Sequence, residues 1–517
     1  MDLDVSDDSL MDIHDEPPKS SSEAKKELYD GHGQPAATEI VRVHSSTANY
    51  SYRLYKRRFV GIVGLIVLNV VSGMTWPWFG PISNNSEELI LAQLISMYIY
   101  AVTVPVAADF GMTLDQVNWL GNVMSCIYLP VSLLVPEVNR RYGIRRCCDV
   151  GAITLLISAW VRYASTPRSL SSNGAFALLF VGQFFAAIAQ PIFQVIGPKY
   201  SETWFGLQGR TTATMVLSIA NPIGGALGQL LSPIVGNTRQ SILVLGIMSS
   251  VAAPFVFLIS AAPPIPPTYS ASKKAPGLVS LLRVMANKGR PTDPTMSLRE
   301  RVDFTILFLV FGVLTAAGNV FSILTGEILQ PVGYSSDSAG FMGATLILSG
   351  ILAAIITAPL FDRIFTTHLA ITSKVLVPIL GVAWVAFIWI VKPNNTAALY
   401  ALCAIVGVAS VTMLPVGLEL ACEVTRNADG SVALLWFACN AFTIIFILVE
   451  GALRAGLDAN PPLNMHRALI FNGTVVLTTC CSIFFMRGKQ TRKQVDQEKR
   501  RQATISLQPR PLMNSNV

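Results

Sequence analysis

In the stretch GQFFAAIAQPIF, Gln183 and Gln190 stand seven residues apart, two helical turns, and so share one helix face. Other apolar stretches hold Asn118, Asn122, Tyr128, Asn221, Asn319, Trp436 and Asn440, and Trp76 and Trp78 close another. An amide offers both donors and an acceptor, enough to orient a hydroxyl or carbonyl. A Trp face attracts an organic cation by about 0.5–2 kcal/mol, depending on desolvation. Together these groups could hold a small organic solute without a fixed counter-charge. Each also has a packing reading, because amides bind helices to one another and Trp gathers at bilayer interfaces. Charged residues keep to the ends of the apolar stretches. Asp115, Arg162, Glu327, Glu450 and Arg454 fall toward one end, and Glu137, Asp149, Glu419 and Glu423 toward the other. With no central Asp, Glu or His to relay protons, movement down a gradient is expected rather than proton coupling. Glu450 and Arg454, four apart, are expected to pair. The sequence has no phosphate-cradling loop and no catalytic motif, so no catalytic residue and no enzyme activity are expected. Eight cysteines show no metal-ligand or redox spacing, and neither cofactor nor metal is expected.

These residues need helices to hold them in lipid. The chain of 517 residues is 52% hydrophobic and 13% charged. Soluble proteins average about 25% charged residues. Its apolar residues come in blocks long enough to cross a bilayer. Such blocks lie at about 59–82, 116–136, 149–167, 174–196, 211–235, 240–262, 303–328, 338–361, 371–391, 396–418, 431–453 and 466–486. The pattern is six spans, a Pro-, Ser- and Lys-rich linker, and six more. It predicts a tail over 1–52, a six-helix bundle over 53–262, a linker over 263–302 containing the amphipathic stretch GLVSLLRVMANK, a second bundle over 303–488, and a tail over 489–517. Both tails are polar and expected to be disordered.

Lys and Arg crowd alternate loops. One set holds Arg53, Lys56, Arg57, Arg58, Arg140, Arg141, Arg145, Arg146, Lys199, Arg210, the basic linker, Arg363, Lys374, Arg426, Arg487, Lys489, Arg492 and Lys493. The other holds only Arg162, Arg168, Arg239, Lys392, Arg454 and Arg467. This asymmetry orients the chain with both termini cytoplasmic. The net charge of +7 is therefore an orientation signal, and nucleic acid is not an expected partner. Sequons at Asn84 and Asn394 fall in loops on the outer side and are candidate glycosylation sites. A further apolar stretch, Leu89–Ala108, is also twenty residues long. If it crossed the membrane once, every later loop would change sides against the charge rule. It is therefore expected not to span, as an insert of native, re-entrant or mis-spliced origin.

Six spans, a long central loop and six spans resemble the major facilitator superfamily, whose fold is an all-α polytopic membrane protein of 12 transmembrane helices in two six-helix bundles. The loop PEVNRRYGIRRCCD resembles that family's signature between spans two and three, with Gly143 at the turn. The resemblance implies a conformational latch of Glu137, Arg141, Gly143, Arg145 and Asp149, repeated weakly by Asp362 and Arg363 in PLFDR. Within the superfamily, TWPWFGPISN, WFGLQGRTTATMVLSIANPIGGALGQLLSP, GQFFAAIAQPIF and LPVGLELACEVTRNADGSVALLWFACNAF resemble the feline leukaemia virus subgroup C receptor-related transporters, the choline and haem transporter family. That resemblance implies transport of a small amine, haem or vitamin-like solute by alternating access. It places Trp76 against the amine, with Gln183, Gln190, Asn122, Asn221, Asn319, Trp436 and Asn440 as substrate-binding candidates. The choline movers carry Tyr in span seven and Gln in span eleven, where this chain has Asn319 and Asn440. Gly224 and Gly228 form a small-xxx-small face suited to close helix packing. The expected partners are a small-molecule substrate and the bilayer, with the protein a monomer in the plasma membrane or a vacuolar or lysosomal membrane. A proton-coupled exporter and a non-transporting sensor with a carrier fold are the alternatives.

Overall fold

The described residues of each of the twelve apolar blocks fall mostly on a helix of the computed structural model, which describes residues 40–506 apart from 46–47, 77, 79–108, 113, 208, 236–237, 274–276, 292, 294, 364–367 and 457. The first half comprises α1 (Arg57–Met74), α2 (Leu114–Tyr163), α3 (Ser172–Trp204), α4 (Arg210–Ile234) and α5 (Thr238–Ala252), the last continued by a 3-10 turn over Ala253–Leu258. The linker contributes α6 (Tyr269–Ser272) and α7 (Leu278–Met285). The second half comprises α8 (Leu298–Leu329), α9 (Ser336–Arg363), α10 (Leu369–Ile390), α11 (Thr396–Thr425), α12 (Ala428–Ala452) and α13 (His466–Cys481). A final helix, α14 (Thr491–Ser506), follows. α2 carries two of the apolar blocks and breaks at Gly143, whose φ of 80° a side chain would oppose. Among the described residues nine helices are long and apolar enough to cross a membrane. Leu89–Ala108 and Asn84 lie outside the described residues.

Local signals set the helix starts. Ser171 accepts from the Gly174 amide at α3, and Asn427 accepts from the Gly430 amide at α12. Ser297 and Glu300 close a capping box at α8. The exterior is apolar, as lipid requires: Ile356, Leu352, Val382 and Trp389 all point outward. Without water to drive helices together, close backbone approach holds them. α4 packs on α1 through glycines. A Cβ added at Gly224 would run into the Val70 carbonyl oxygen, and one at Gly228 would lie 2.8 Å from that of Met74.

The linker helix α7 is two-faced. Leu278, Leu281 and Val284 are buried while Val279 and Leu282 are exposed. The tails depart from expectation. Residues 40–53 form an antiparallel hairpin of β1 (Ile40–Ser45) and β2 (Ala48–Arg53) rather than an unstructured lead. The segment expected to be a disordered tail after 488 contains α14, whose Arg492 and Asp496 are buried. Its charges have found partners inside the protein, which offsets their loss of water.

The α1–α4 contact gives a direct test. Gly224→Ala should lower unfolding stability by about 1–3 kcal/mol through overpacking against backbone. Gly225→Ala, whose added Cβ meets nothing within 4 Å, should leave Tm unchanged in a thermal melt of the detergent-solubilised protein.

Candidate functional site

Three helices of the first half meet through amides. Gln190 on α3 donates to Asn221 Oδ1 on α4 at 3.4 Å, and Asn221 donates to Asn69 Oδ1 on α1 at 3.3 Å. Asn69 donates in turn to the Leu217 carbonyl at 3.0 Å. Asn221 and Asn122 remain partly accessible. Trp76, also half-buried, packs on a small cluster of Met124, Ala186 and Ala187. Gln183 shares the α3 helix with Gln190 but is fully engaged elsewhere. Its Oε1 accepts from Arg162 at 3.2 Å, its Nε2 donates to the Leu120 carbonyl at 3.4 Å, and it is 1% exposed. It works as a tie between helices, around an Arg162 that is itself fully buried and bonded to Ser158. Tyr128 donates to Gln194 Oε1 between α2 and α3, and the Trp78 indole to Ser241 Oγ at 3.3 Å.

The second half has a matching patch. Asn319 on α8 donates to Cys439 Sγ on α12 at 3.4 Å. One residue beyond Cys439, Asn440 donates to the Trp436 carbonyl at 2.9 Å, and the Trp436 ring meets Phe311 edge-on at 5.6 Å. The expected pair of Glu450 and Arg454 does not form. Arg454 pairs with Glu327 on α8, while Glu450 is buried and accepts from Asn472 on α13 at 2.8 Å. Partners on neighbouring helices lie nearer than the next turn, so sequence spacing alone misassigned both.

The two halves meet in charge at the end where the basic loops gather. Arg210 on α4 pairs with Glu423 at 2.8 Å and Glu419 at 3.3 Å, both on α11. Thr214 donates to Glu419 at 3.2 Å, and Asn139 on α2 to Asp429 on α12 at 2.8 Å. Arg492 of α14 enters the same cluster, 2.6 Å from Glu419, 3.0 Å from Glu423 and 3.2 Å from Glu202 on α3. Lys199 holds Glu202 at 2.7 Å. Burial alone would weaken the Arg492 charge, but the three glutamates outweigh it and hold its pKa well above the ordinary arginine value. Along their helices, Gln190 lies twelve residues from Glu202, Asn221 eleven from Arg210 and Asn440 eleven from Asp429. At 1.5 Å per residue, all three amides stand at about one level, roughly 17 Å above the charged cluster.

A match to the Major Facilitator Superfamily extends over residues 89–448. The chain belongs to that superfamily. Its members' fold recurs in the human organic anion transporter MFSD10, with a TM-score of 0.58 at 15% identity over 83% of this chain and 99% of that one. It recurs also in the E. coli fucose:proton symporter FucP, with a TM-score of 0.57 at 10% identity over 83% and 99%. In sequence the chain is 26% identical to solute carrier family 49 member A3 of Xenopus tropicalis, over 88% of this chain and 91% of the relative. It is 24% identical to the choline/ethanolamine transporter FLVCR1 of Felis catus, over 77% and 68%. These relatives are membrane transporters, not enzymes. The superfamily match begins at Leu89, so the stretch Leu89–Ala108 falls inside it, with α1 preceding it.

Within this superfamily fold, the signature loop makes local pairs. Glu137 is 2.6 Å from Arg140 and 2.5 Å from Arg141; Arg145 is 2.9 Å from Asp149 and donates to the Ile259 carbonyl at 3.0 Å. All four contacts stay in the first half. Asp362 and Arg363 end α9, and their side chains lie outside the described residues. Asn394 is exposed, in the turn before α11. The groups that tie the halves together, namely Glu202, Arg210, Glu419, Glu423 and Asp429, carried a sequence signal only as acids and bases at helix ends. Arg492 carried one only as a basic residue flanking the last span.

Gln183→Leu should expose the cost of the buried Arg162. With one guanidinium donor left unpaired, stability should fall by about 1–3 kcal/mol. A drop in Tm larger than that of Gln190→Leu, measured side by side, checks it.

Proposed function

We propose that the chain is a twelve-span solute carrier with both termini cytoplasmic, moving a small organic amine between the two halves by alternating access. The observation that carries this reading is the common level of Gln190, Asn221 and Asn440, with Asn319 bonded beside them, about 17 Å from the charged closure at one end. Midplane sites between halves are the rule for secondary transporters. The basic loops gathered at the closed end give the orientation. Trp76, a short way above Gln190, offers a face to a cation, and the amides offer donors and acceptors to a hydroxyl or carbonyl. Choline and ethanolamine, the solutes named for FLVCR1, fit that chemistry. Asn319 replaces an aromatic wall with an amide, which favours an amine carrying a hydrogen-bonding group over a bare quaternary head.

Glu450 supports a second reading. A buried carboxylate whose bonded partner is the Asn472 amide is suited to proton exchange. Uptake into proteoliposomes with and without an imposed pH gradient separates the two. A gradient-independent rate supports facilitated movement, and a rate that collapses without the gradient supports coupling.

The site is tested by thermal stabilisation of the purified protein with ethanolamine, choline and other amines. Trp76→Ala should weaken the stabilising amine by about 5–30-fold in Kd, the worth of a desolvated cation–π contact. An unchanged Kd would remove Trp76 from the site.

A further inference from the structure

We infer that α14 is a removable bolt: by seating Arg492 between Glu202 of the first half and Glu419 and Glu423 of the second, the C-terminal segment sets how readily the basic end opens. The inference rests on the alternating-access reading and adds a control element to it. The contact geometry is asymmetric. Arg210 already reaches from the first half to Glu419 and Glu423. Lys199 already neutralises Glu202 within the first half. Arg492 belongs to neither bundle, yet it touches carboxylates of both. While it is seated, separating the halves means pulling a buried guanidinium away from at least one of them, which is costly in a desolvated site.

The rest of α14 is built to leave. Among the described side chains of α14, only Arg492 and Asp496, one turn apart, are deeply buried, whereas Gln494, Val495, Gln497 and Glu498 face outward. A helix polar on nearly every face has little apolar area to hold it. Strand β1 packs beside it, and its side chains are seated by charge and hydrogen bonds. Asp496 meets Arg210 at 3.3 Å and accepts from the Ser270 amide at 3.0 Å and hydroxyl at 2.8 Å, and Glu423 accepts from the Lys493 amide at 2.8 Å. The chain just before it is fixed. Asp303 on α8 accepts from the amides of Arg487 at 3.1 Å and Gly488 at 2.9 Å. Gly488 itself takes φ 61°, a conformation that lets the chain turn sharply between anchor and helix. α14 can therefore swing about a pinned point without unravelling α13. Ser270 ties the bolt to the linker, so whatever displaces the linker or binds the exposed face of α14 acts on the same closure.

The test uses the full chain in membranes carrying Ser218→Cys. Ser218 lies on α4, eight residues and about 12 Å beyond Arg210, and is 7% exposed. An impermeant maleimide is applied to the basic face, and labelling is corrected for the same chain without the added cysteine. Glu202→Gln with Arg492→Gln removes the guanidinium that ties both halves and leaves the summed charge unchanged. Removal of residues 489–517 takes the bolt away. Both should speed labelling by about 5-fold or more, the scale of an ordinary coupling between states, with Arg492→Lys between them and the parent. Asp496→Asn loosens the seat without altering either half and serves if the double variant does not fold; it should move in the same direction. Rates equal to the parent in the truncated chain and in the substituted one overturn the bolt. A rise on truncation alone overturns the role of Arg492. If a stabilising amine shifts labelling of the parent while no tail variant departs from it, only the bolt fails. If the amine shifts labelling in none, alternating access fails with it.

Discussion

Three cations and four carboxylates share one dry space at the basic end: Lys199, Arg210 and Arg492 with Glu202, Glu419, Glu423 and Asp496. Taking such charges out of water costs several kcal/mol per ion, and only mutual pairing in good geometry offsets it. The cluster therefore cannot be half-assembled cheaply. It constrains the chain globally, because its members come from α3, α4, α11 and α14, separated by up to 290 positions. Arg210 and Thr214 bond to Glu423 and Glu419, and Asn139 to Asp429, joining the two halves directly at this end. The halves are held at one end by charge, while their midplane faces are made of amides and aromatic rings.

Within each half the constraint is different. Packing in lipid gains nothing from hiding apolar surface, so helices approach at positions without side chains. Gly73, Gly224 and Gly228 bring α1 and α4 together, and Gly350 and Gly407 do the same for α9 and α11. The same closeness lets Asn69, Asn221 and Gln190 bond across three helices. The amide level of the first half is thus a product of the glycine packing.

Much of this was legible in the sequence, and the residues show why. Apolar blocks about twenty residues long have one stable fate in lipid, and the described residues of each of the twelve are mostly helical. Gly143 in a basic loop announced its break, and Glu137 and Asp149 found Arg140, Arg141 and Arg145 because one turn separates each pair. The misses share a cause. Glu450 and Arg454 had near neighbours by spacing but nearer ones by packing, Asn472 and Glu327. Gln183 had the type and spacing of a ligand, yet Arg162 claimed it. TRKQVDQEKR has the composition of a solvated tail, and nothing local says that Arg492 would be drawn into a nest of glutamates 69, 73 and 290 positions away. Long-range charge pairing leaves no periodic trace.

The division of labour follows from these energies. On the proposed alternating-access reading, an amide site would bind a solute with modest, reversible interactions and keep its own charge constant through the cycle, so binding there cannot by itself supply a large bias between states. A ligand shifts an equilibrium only by its differential affinity for the two conformations. On that reading, the free energy that decides which end is closed resides where buried pairing is densest, the charged end. Its several buried ion pairs set a bias that a small solute could not overcome if all broke together. A cluster that releases in steps, one guanidinium at a time, brings each step within reach of ordinary binding energies. Cations drawn from separate elements, Arg210 fixed in α4 and Arg492 carried on a polar helix with few apolar holds, are what a stepwise release requires.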